Sequence, residues 1–207
     1  MRLKTTLLAA IASLGLATAA SAAPVTGQIS IGGYAQSANS VGMGTANGLS
    51  FASGSSSAPT ISGTSGLLYS FGGGSGSFAG LTCASTSGGC GTIKNIASFA
   101  SEPATTSFLT LTTGTSTAIS FDLASVTNVT HTADATGGSV TFTASGTINY
   151  TGFDATAGTF ILTAQGNNIV SFSATTLAAA TATPEPASLA ILGASLAGLG
   201  LIRRKKA

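Results

Sequence analysis

The sequence predicts an all-β body, an antiparallel β-sandwich of jelly-roll type, in a chain of 207 residues. From residue 107 onward, segments that alternate apolar and polar residues recur about every ten residues, with turn signals between them. The chain also contains 28 glycines and only 6% charged residues, against roughly 25% in an average soluble domain. This length suits a single β domain.

The second half of the body has the clearest strand pattern. Val140 and Phe142 alternate with hydroxyl side chains, so one sheet face is predicted to be buried and the other covered with hydroxyl groups. Turn signals at 136–138, 145–146, 154–158 and 166–168 are typical of an antiparallel meander. The predicted strands are residues 108–111, 118–123, 139–144, 147–150, 158–163 and 169–174.

The first half of the body, residues 23–100, has 17 of the 28 glycines and a weaker alternation. Its predicted strands are residues 28–31, 66–71 and 92–99, with low-complexity loops at 53–57 and 72–77. Because a sheet has to bury its apolar face against another layer, these strands are expected to form the second sheet of the sandwich. A β-solenoid is the alternative, although no strict short repeat is visible.

Residues 1–22 have the organisation of a secretory signal peptide, which predicts an N-terminal signal helix. Arg2 and Lys4 precede an apolar run at 7–16, and Ala20 and Ala22 fit the small-x-small rule for cleavage by signal peptidase after Ala22. The alternative is an uncleaved membrane anchor, for which the apolar run is too short. The body is therefore expected to be exported.

Residues 184–207 combine three features in a fixed order. The motif Pro184, Glu185, Pro186 precedes an apolar stretch at 187–202, which predicts a C-terminal transmembrane helix. As a helix this stretch reaches roughly 24 Å, short of the ~30 Å hydrocarbon core, but basic side chains beyond it can snorkel across part of the deficit. The basic residues should remain cytoplasmic. They form a tail at 203–206: Arg203, Arg204, Lys205 and Lys206.

This order of motif, helix and basic tail resembles the PEP-CTERM sorting signal of Gram-negative bacteria. The resemblance implies that an exosortase, a membrane-embedded cysteine protease or transpeptidase, recognises Pro184, Glu185 and Pro186. It also implies an intermediate anchored in the inner membrane, followed by delivery to the cell surface or extracellular matrix. Such proteins are typical of bacteria that make exopolysaccharide and are often rich in Ser and Thr. Residues 24–183 hold 54 Ser and Thr, and residues 177–183 are predicted to be a linker.

Cys83 and Cys90 are the only cysteines and flank a short Ser- and Gly-containing loop. In an exported protein this spacing favours a disulfide. The alternatives are a nucleophile or a metal site, for which His131 would be one further ligand. No cofactor and no metal ion are expected.

The charges of the body are few and mostly acidic. Residues 23–183 contain one lysine, Lys94, and four carboxylates, which gives a net charge of 1 − 4 = −3. One lysine cannot neutralise a run of phosphates, so nucleic-acid binding is not expected. The carboxylates are those of Glu102, Asp122, Asp134 and Asp154.

These acids and the single histidine are the candidate catalytic groups. A glycoside hydrolase needs two facing carboxylates, but Asp134 and Asp154 occupy positions where Asp is an ordinary turn former, with a calcium ligand as the weaker alternative. His131 has no accompanying Gly-x-Ser-x-Gly motif. With three tyrosines and no tryptophan, an aromatic platform for sugar stacking is expected to be hard to build.

The sequence therefore predicts a non-enzymatic exported protein with a structural or adhesive role in association with exopolysaccharide at the cell surface or in the biofilm matrix. The alternative is a secreted carbohydrate-binding module or hydrolase. The two differ in whether acidic residues and His131 gather in one cavity.

Overall fold

The structure, a computed structural model, describes residues 22–39, 42–113 and 116–179. Within these residues the chain forms eleven β-strands and two short 3₁₀ turns, Met43–Thr45 and Gly76–Phe78. The strands are β1 (Gln28–Ser37), β2 (Leu49–Ser55), β3 (Ala58–Ile61), β4 (Ser65–Gly72), β5 (Cys83–Ala84), β6 (Gly91–Lys94), β7 (Thr105–Thr113), β8 (Ser116–Thr132), β9 (Ser139–Tyr150), β10 (Thr156–Gln165) and β11 (Val170–Ala178).

Eight of the strands form a closed antiparallel barrel in the order β1, β11, β10, β9, β8, β7, β6, β4. The ring closes because β1 pairs with β11 along one edge, from Gln28 to Ala35, and with β4 along the other, from Ser30 to Gly33. The hairpin of β2 and β3 extends the sheet beside β1, and β5 pairs with β4. The predicted all-β antiparallel class is therefore confirmed.

The predicted two-sheet sandwich is wrong, because the N-terminal strands complete the same sheet instead of forming a second layer. The pairing of β1 with β4 shifts register between Gly32 and Gly33. Such a bulge bends the strand and increases its twist, and glycine tolerates the close approach. A sheet that curves in this way buries its apolar face against itself, so it needs no second sheet.

The inner face of the barrel is filled by apolar side chains, and phenylalanines are among the largest of those that are fully buried. Phe108, Phe121, Phe142 and Phe160 are fully buried. The ring centroid of Phe160 lies 5.6 Å from Phe108, 6.0 Å from Phe121 and 5.9 Å from Phe142. An eight-stranded barrel has an interior just wide enough for side chains to fill. The alternation of Val140 and Phe142 correctly predicts the inward face of β9.

Three predicted elements differ from the structure. Residues 139–150 form one strand instead of two, and Gly146 lies inside it instead of in a turn. Glycine is needed there because a Cβ atom at this position would lie 2.1 Å from the Asp122 carbonyl oxygen. The predicted loop at 53–57 is the end of β2 and its turn into β3. The predicted strand at 92–99 ends at Lys94.

Residues 1–21 and 180–207 lie outside the described residues. They hold most of the predicted signal helix, part of the predicted linker, and all of the predicted transmembrane helix and basic tail. In the described part of the chain, no helix is both long enough and apolar enough to cross a membrane.

Candidate functional site

Cys83 and Cys90 form a disulfide with their Cα atoms 5.7 Å apart, as the sequence predicts. Cys90 is completely buried in the core, and Cys83 packs against its margin. The loop between them is ordered by Ser85, whose Oγ accepts hydrogen bonds from the N–H groups of Ser87 and Gly89. Because the two sulfurs are bonded to each other, neither is available as a nucleophile or a metal ligand.

Asp122 and Glu102 bind backbone or side-chain donors near them. Asp122 accepts a hydrogen bond from the Ser107 N–H through Oδ1 at 2.6 Å and one from Asn149 Nδ2 through Oδ2 at 2.9 Å. Glu102 accepts one from the Ala97 N–H at 3.0 Å. Both carboxylates therefore order neighbouring segments of the chain.

Asp134 forms the turn that follows β8. Its Oδ1 accepts hydrogen bonds from the hydroxyl and N–H of Thr136 and from the N–H of Gly138. These bonds, the Thr136 hydroxyl first among them, hold the pKa of Asp134 below its ordinary value of 3.8. Asp134 thus has the geometry of the turn former that its sequence context favours.

Asp154 follows β9, and His131 lies near the end of β8. Asp154 forms an isolated β-bridge with Pro24, and the Asp154 N–H donates to the carbonyl oxygen of Ala23 at 3.0 Å. His131 is exposed on β8, and its ring lies 6.3 Å from that of Phe99. Among the described residues, no group of three or more His, Cys, Asp or Glu side chains could hold a metal ion.

The outer face of the barrel carries rows of hydroxyl groups that cross several strands. In one row, Thr130, Thr141, Thr163 and Ser173 are paired in register from β8 to β11. The Oγ1 atoms of Thr141 and Thr163 lie 3.0 Å apart, within hydrogen-bond distance. We call this surface the outer hydroxyl face; it offers donors and acceptors at the spacing of adjacent strands.

A shallow groove continues this face where β1 meets β11 and β4. Its volume is about 400 Å³. Small residues keep the surface low: Ser30, Gly32, Ser70, Gly72 and Ser173 line it. The groove therefore exposes backbone and hydroxyl groups with little side chain above them.

A second pocket of about 400 Å³ lies where β8 begins and β9 ends, and we call it the barrel-end pocket. The turn from Tyr150 to Phe153 shapes it: the Phe153 N–H donates to the Tyr150 carbonyl oxygen at 3.0 Å. Gly152 has a φ of 91°, and the third position of a type II turn requires a positive φ. The lining residues are Ile119, Ser120, Asn149, Tyr150, Thr151, Phe153 and Ala155.

Three aromatic rings form a column that leads from the core to this pocket. Phe78 is fully buried, and its ring is parallel to that of Tyr150, with centroids 6.1 Å apart. Tyr150 in turn stacks on Phe153 at 4.9 Å, and both are half-buried. An aromatic surface at the pocket is therefore held in place by buried packing.

The expectation that an aromatic platform is hard to build did not foresee the column of Phe78, Tyr150 and Phe153. That expectation counted tyrosine and tryptophan, and it left out the ten phenylalanines. The available signal was the segment from Tyr150 to Phe153, in which Gly152 permits a tight turn that brings two aromatic rings together.

The Asp122 carboxylate orients a polar group of the pocket, the Asn149 carboxamide. Because Asn149 Nδ2 donates one hydrogen bond to Asp122, the orientation of the carboxamide is fixed. Its Oδ1 atom and its second N–H group have no further partner among the described residues. Ser120 and Thr151 add hydroxyl groups to the same lining.

Comparison with family models finds a sorting motif near the C-terminus. Residues 182–205 match the model of the PEP-CTERM protein-sorting motif. The match lies outside the described residues and contains Pro184, Glu185 and Pro186 with most of the basic tail. No curated protein and no solved structure matches the chain. The resemblance noted in the sequence is therefore confirmed: the chain carries the sorting motif of exported proteins that an exosortase processes.

Proposed function

We propose that this protein is an exosortase-processed component of the cell surface or extracellular matrix of a Gram-negative bacterium. In this proposal it has a structural or adhesive role in association with exopolysaccharide and is not an enzyme. Signal peptidase removes residues 1–22, the segment at 187–202 anchors the intermediate, and an exosortase acts at the motif. The observation that carries the proposal is the sorting-motif match at residues 182–205.

The outer hydroxyl face supports the association with exopolysaccharide. Rows such as Thr141 with Thr163 present hydroxyl groups that both donate and accept hydrogen bonds. Polysaccharide chains present the same two functions along their length. A rigid surface loses little conformational entropy on binding, so many weak contacts can add up along the chain.

The local roles of the carboxylates support the non-enzymatic part of the proposal. Asp122 and Glu102 are bonded to donors of the fold, and Asp134 closes its own turn. A hydrolase of the alternative class would need two carboxylates facing one cavity. The other alternative is a secreted carbohydrate-binding module, for which the barrel-end pocket is the candidate site.

Fractionation of cells tests the proposal. The full chain and a variant with Pro184→Ala, Glu185→Ala and Pro186→Ala are expressed in a bacterium that makes both an exosortase and exopolysaccharide. We expect the full chain in the matrix fraction and the variant in the inner membrane. The control replaces Glu102 and Pro103, an acid–proline pair in the body, by alanine and should still reach the matrix. Equal distribution of the full chain and the motif variant would contradict the proposal.

A further inference from the structure

We infer that the barrel-end pocket binds one residue of a neutral saccharide. The inference rests on the proposed association with exopolysaccharide and adds the site at which one sugar ring is held. The pocket combines three features: an aromatic surface at Tyr150 and Phe153, a fixed carboxamide at Asn149, and the hydroxyl group of Ser120.

The aromatic surface suits the apolar face of a sugar ring. A pyranose presents several C–H groups on one face and hydroxyl groups around its rim. The C–H groups can pack against Phe153, whose ring is half-buried and already stacked on Tyr150. Because Phe78 supports Tyr150 from the core, the rings need little ordering when a ligand binds.

The polar groups suit the rim of the same ring. A carboxamide with one N–H held by Asp122 still offers an acceptor and a donor side by side. Two neighbouring hydroxyl groups of a sugar can bond to both at once. The Ser120 hydroxyl gives one further contact. The pocket joins these fixed polar groups to an aromatic surface, and its volume of about 400 Å³ lies near the lower end of the range for small-ligand sites.

The charge of the site favours a neutral ligand. The lining side chains are uncharged, and the bond from Asn149 places the Asp122 carboxylate beside them. Lys94 is the one Lys or Arg in the described part of the chain, and its Nζ donates to the Thr106 carbonyl oxygen. A uronate residue would therefore bring its carboxylate towards Asp122 with no cation in the lining to pair with it.

Binding is tested with the exported protein, labelled with ¹⁵N and purified from the cells that make it. The neutral probes are cellotetraose and chitotetraose, and tetragalacturonate is the charged probe. We expect at least one neutral probe to shift the amide resonances of residues 149–155, and tetragalacturonate to leave them unchanged. Failure of both neutral probes to shift these resonances, or a response to tetragalacturonate alone, would overturn the inference.

Two variants and a matched control assign the binding to this pocket. Phe153→Ala removes the aromatic surface and should weaken binding by about tenfold or more. Asn149→Ala should also weaken it, and it leaves the aromatic column intact if Phe153→Ala fails to fold. Phe99 is likewise half-buried but packs beside His131, at the opposite end of the paired β8 and β9. Phe99→Ala should therefore bind as the unmodified protein does.

Failure of the saccharide site and failure of the proposed function give different experimental results. If the full chain reaches the matrix but neither neutral probe binds, the saccharide site is wrong and the sorting proposal stands. If the probes bind but the full chain stays in the inner membrane, the sorting proposal is wrong and the site stands. Folded Phe153→Ala and Asn149→Ala variants that both bind as tightly as the unmodified protein would contradict the site.

Discussion

Gly33 of β1 lies directly opposite Phe172 of β11, and the phenylalanine ring covers the position that a side chain at Gly33 would take. A Cβ atom added at Gly33 would lie 2.6 Å from Phe172 Cε1. The ring is almost completely buried and packs edge-on against Phe51, with centroids 5.3 Å apart. This pair stabilises the strand along which the barrel closes.

Replacement of Gly33 by alanine should destabilise the barrel. The added methyl group would displace the Phe172 ring, so we expect the free energy of unfolding to fall by about 1–3 kcal/mol. Urea unfolding measures the change. Gly72→Ala is the control, because there an added Cβ atom would meet Thr82 Cγ2 at an ordinary 3.7 Å. Equal stability of the two variants would show that the ring does not depend on this glycine.

Two buried threonines should respond in opposite directions to replacement by valine. Thr156 Oγ1 accepts the Val25 N–H at 2.8 Å and donates to the Asp154 carbonyl oxygen, so Thr156→Val should cost about 1–3 kcal/mol of stability. Thr176 Oγ1 is buried without a hydrogen-bond partner in the described structure. Thr176→Val should therefore raise the free energy of unfolding by about 1 kcal/mol. Thermal unfolding compares the two variants, and a loss in both would contradict the assignment.

Removal of the disulfide should lower the free energy of unfolding, because the unfolded chain has more conformational freedom without this cross-link. Cys83 and Cys90 close a short loop, with a sequence separation of 7. On the chain-entropy estimate the bond contributes about 2.5 kcal/mol. The double variant Cys83→Ala, Cys90→Ala should show this loss in urea, and a reducing agent should destabilise only the unmodified protein. A variant that is still sensitive to the reducing agent would be inconsistent with this bond as its target.

The turn at Asp134 should make stability fall in acid. The pKa of Asp134 is lower in the folded protein than its ordinary 3.8. Its contribution is therefore fully present above the unfolded value and is lost as the pH falls through the folded value. Asp134→Asn retains an acceptor oxygen but removes the titration. We expect unfolding measured between neutral pH and about pH 3 to show a smaller decline for this variant, and parallel declines would refute the assignment.

The strand pattern was readable from the sequence because alternation reports which face of a strand is buried. Val140 and Phe142 point inward as predicted. Alternation does not show which strands are neighbours. The barrel closes only because β1 forms hydrogen bonds to a neighbouring strand along each of its two edges. Gly146 resembles a turn residue in the sequence, yet it lies within β9 because the Asp122 carbonyl group approaches it closely.

The candidate site was harder to predict than the fold. Its aromatic part depends on a turn that places Phe153 against Tyr150, and its polar part depends on the bond from Asn149 to Asp122 between neighbouring strands. Counts of residue types in the sequence show neither this turn nor this hydrogen bond. The sorting motif, in contrast, is a linear signal and could be recognised without the fold.

Intact-mass analysis of the exported protein, from cells with and without the exosortase, tests the central claim most directly. With the enzyme, we predict a chain that begins at Ala23, has lost the basic tail Arg203, Arg204, Lys205 and Lys206, and is lighter by the two hydrogens of the disulfide. Without the enzyme, the tail should remain. A mass that includes the tail in both strains, or lacks it in both, would contradict processing by an exosortase.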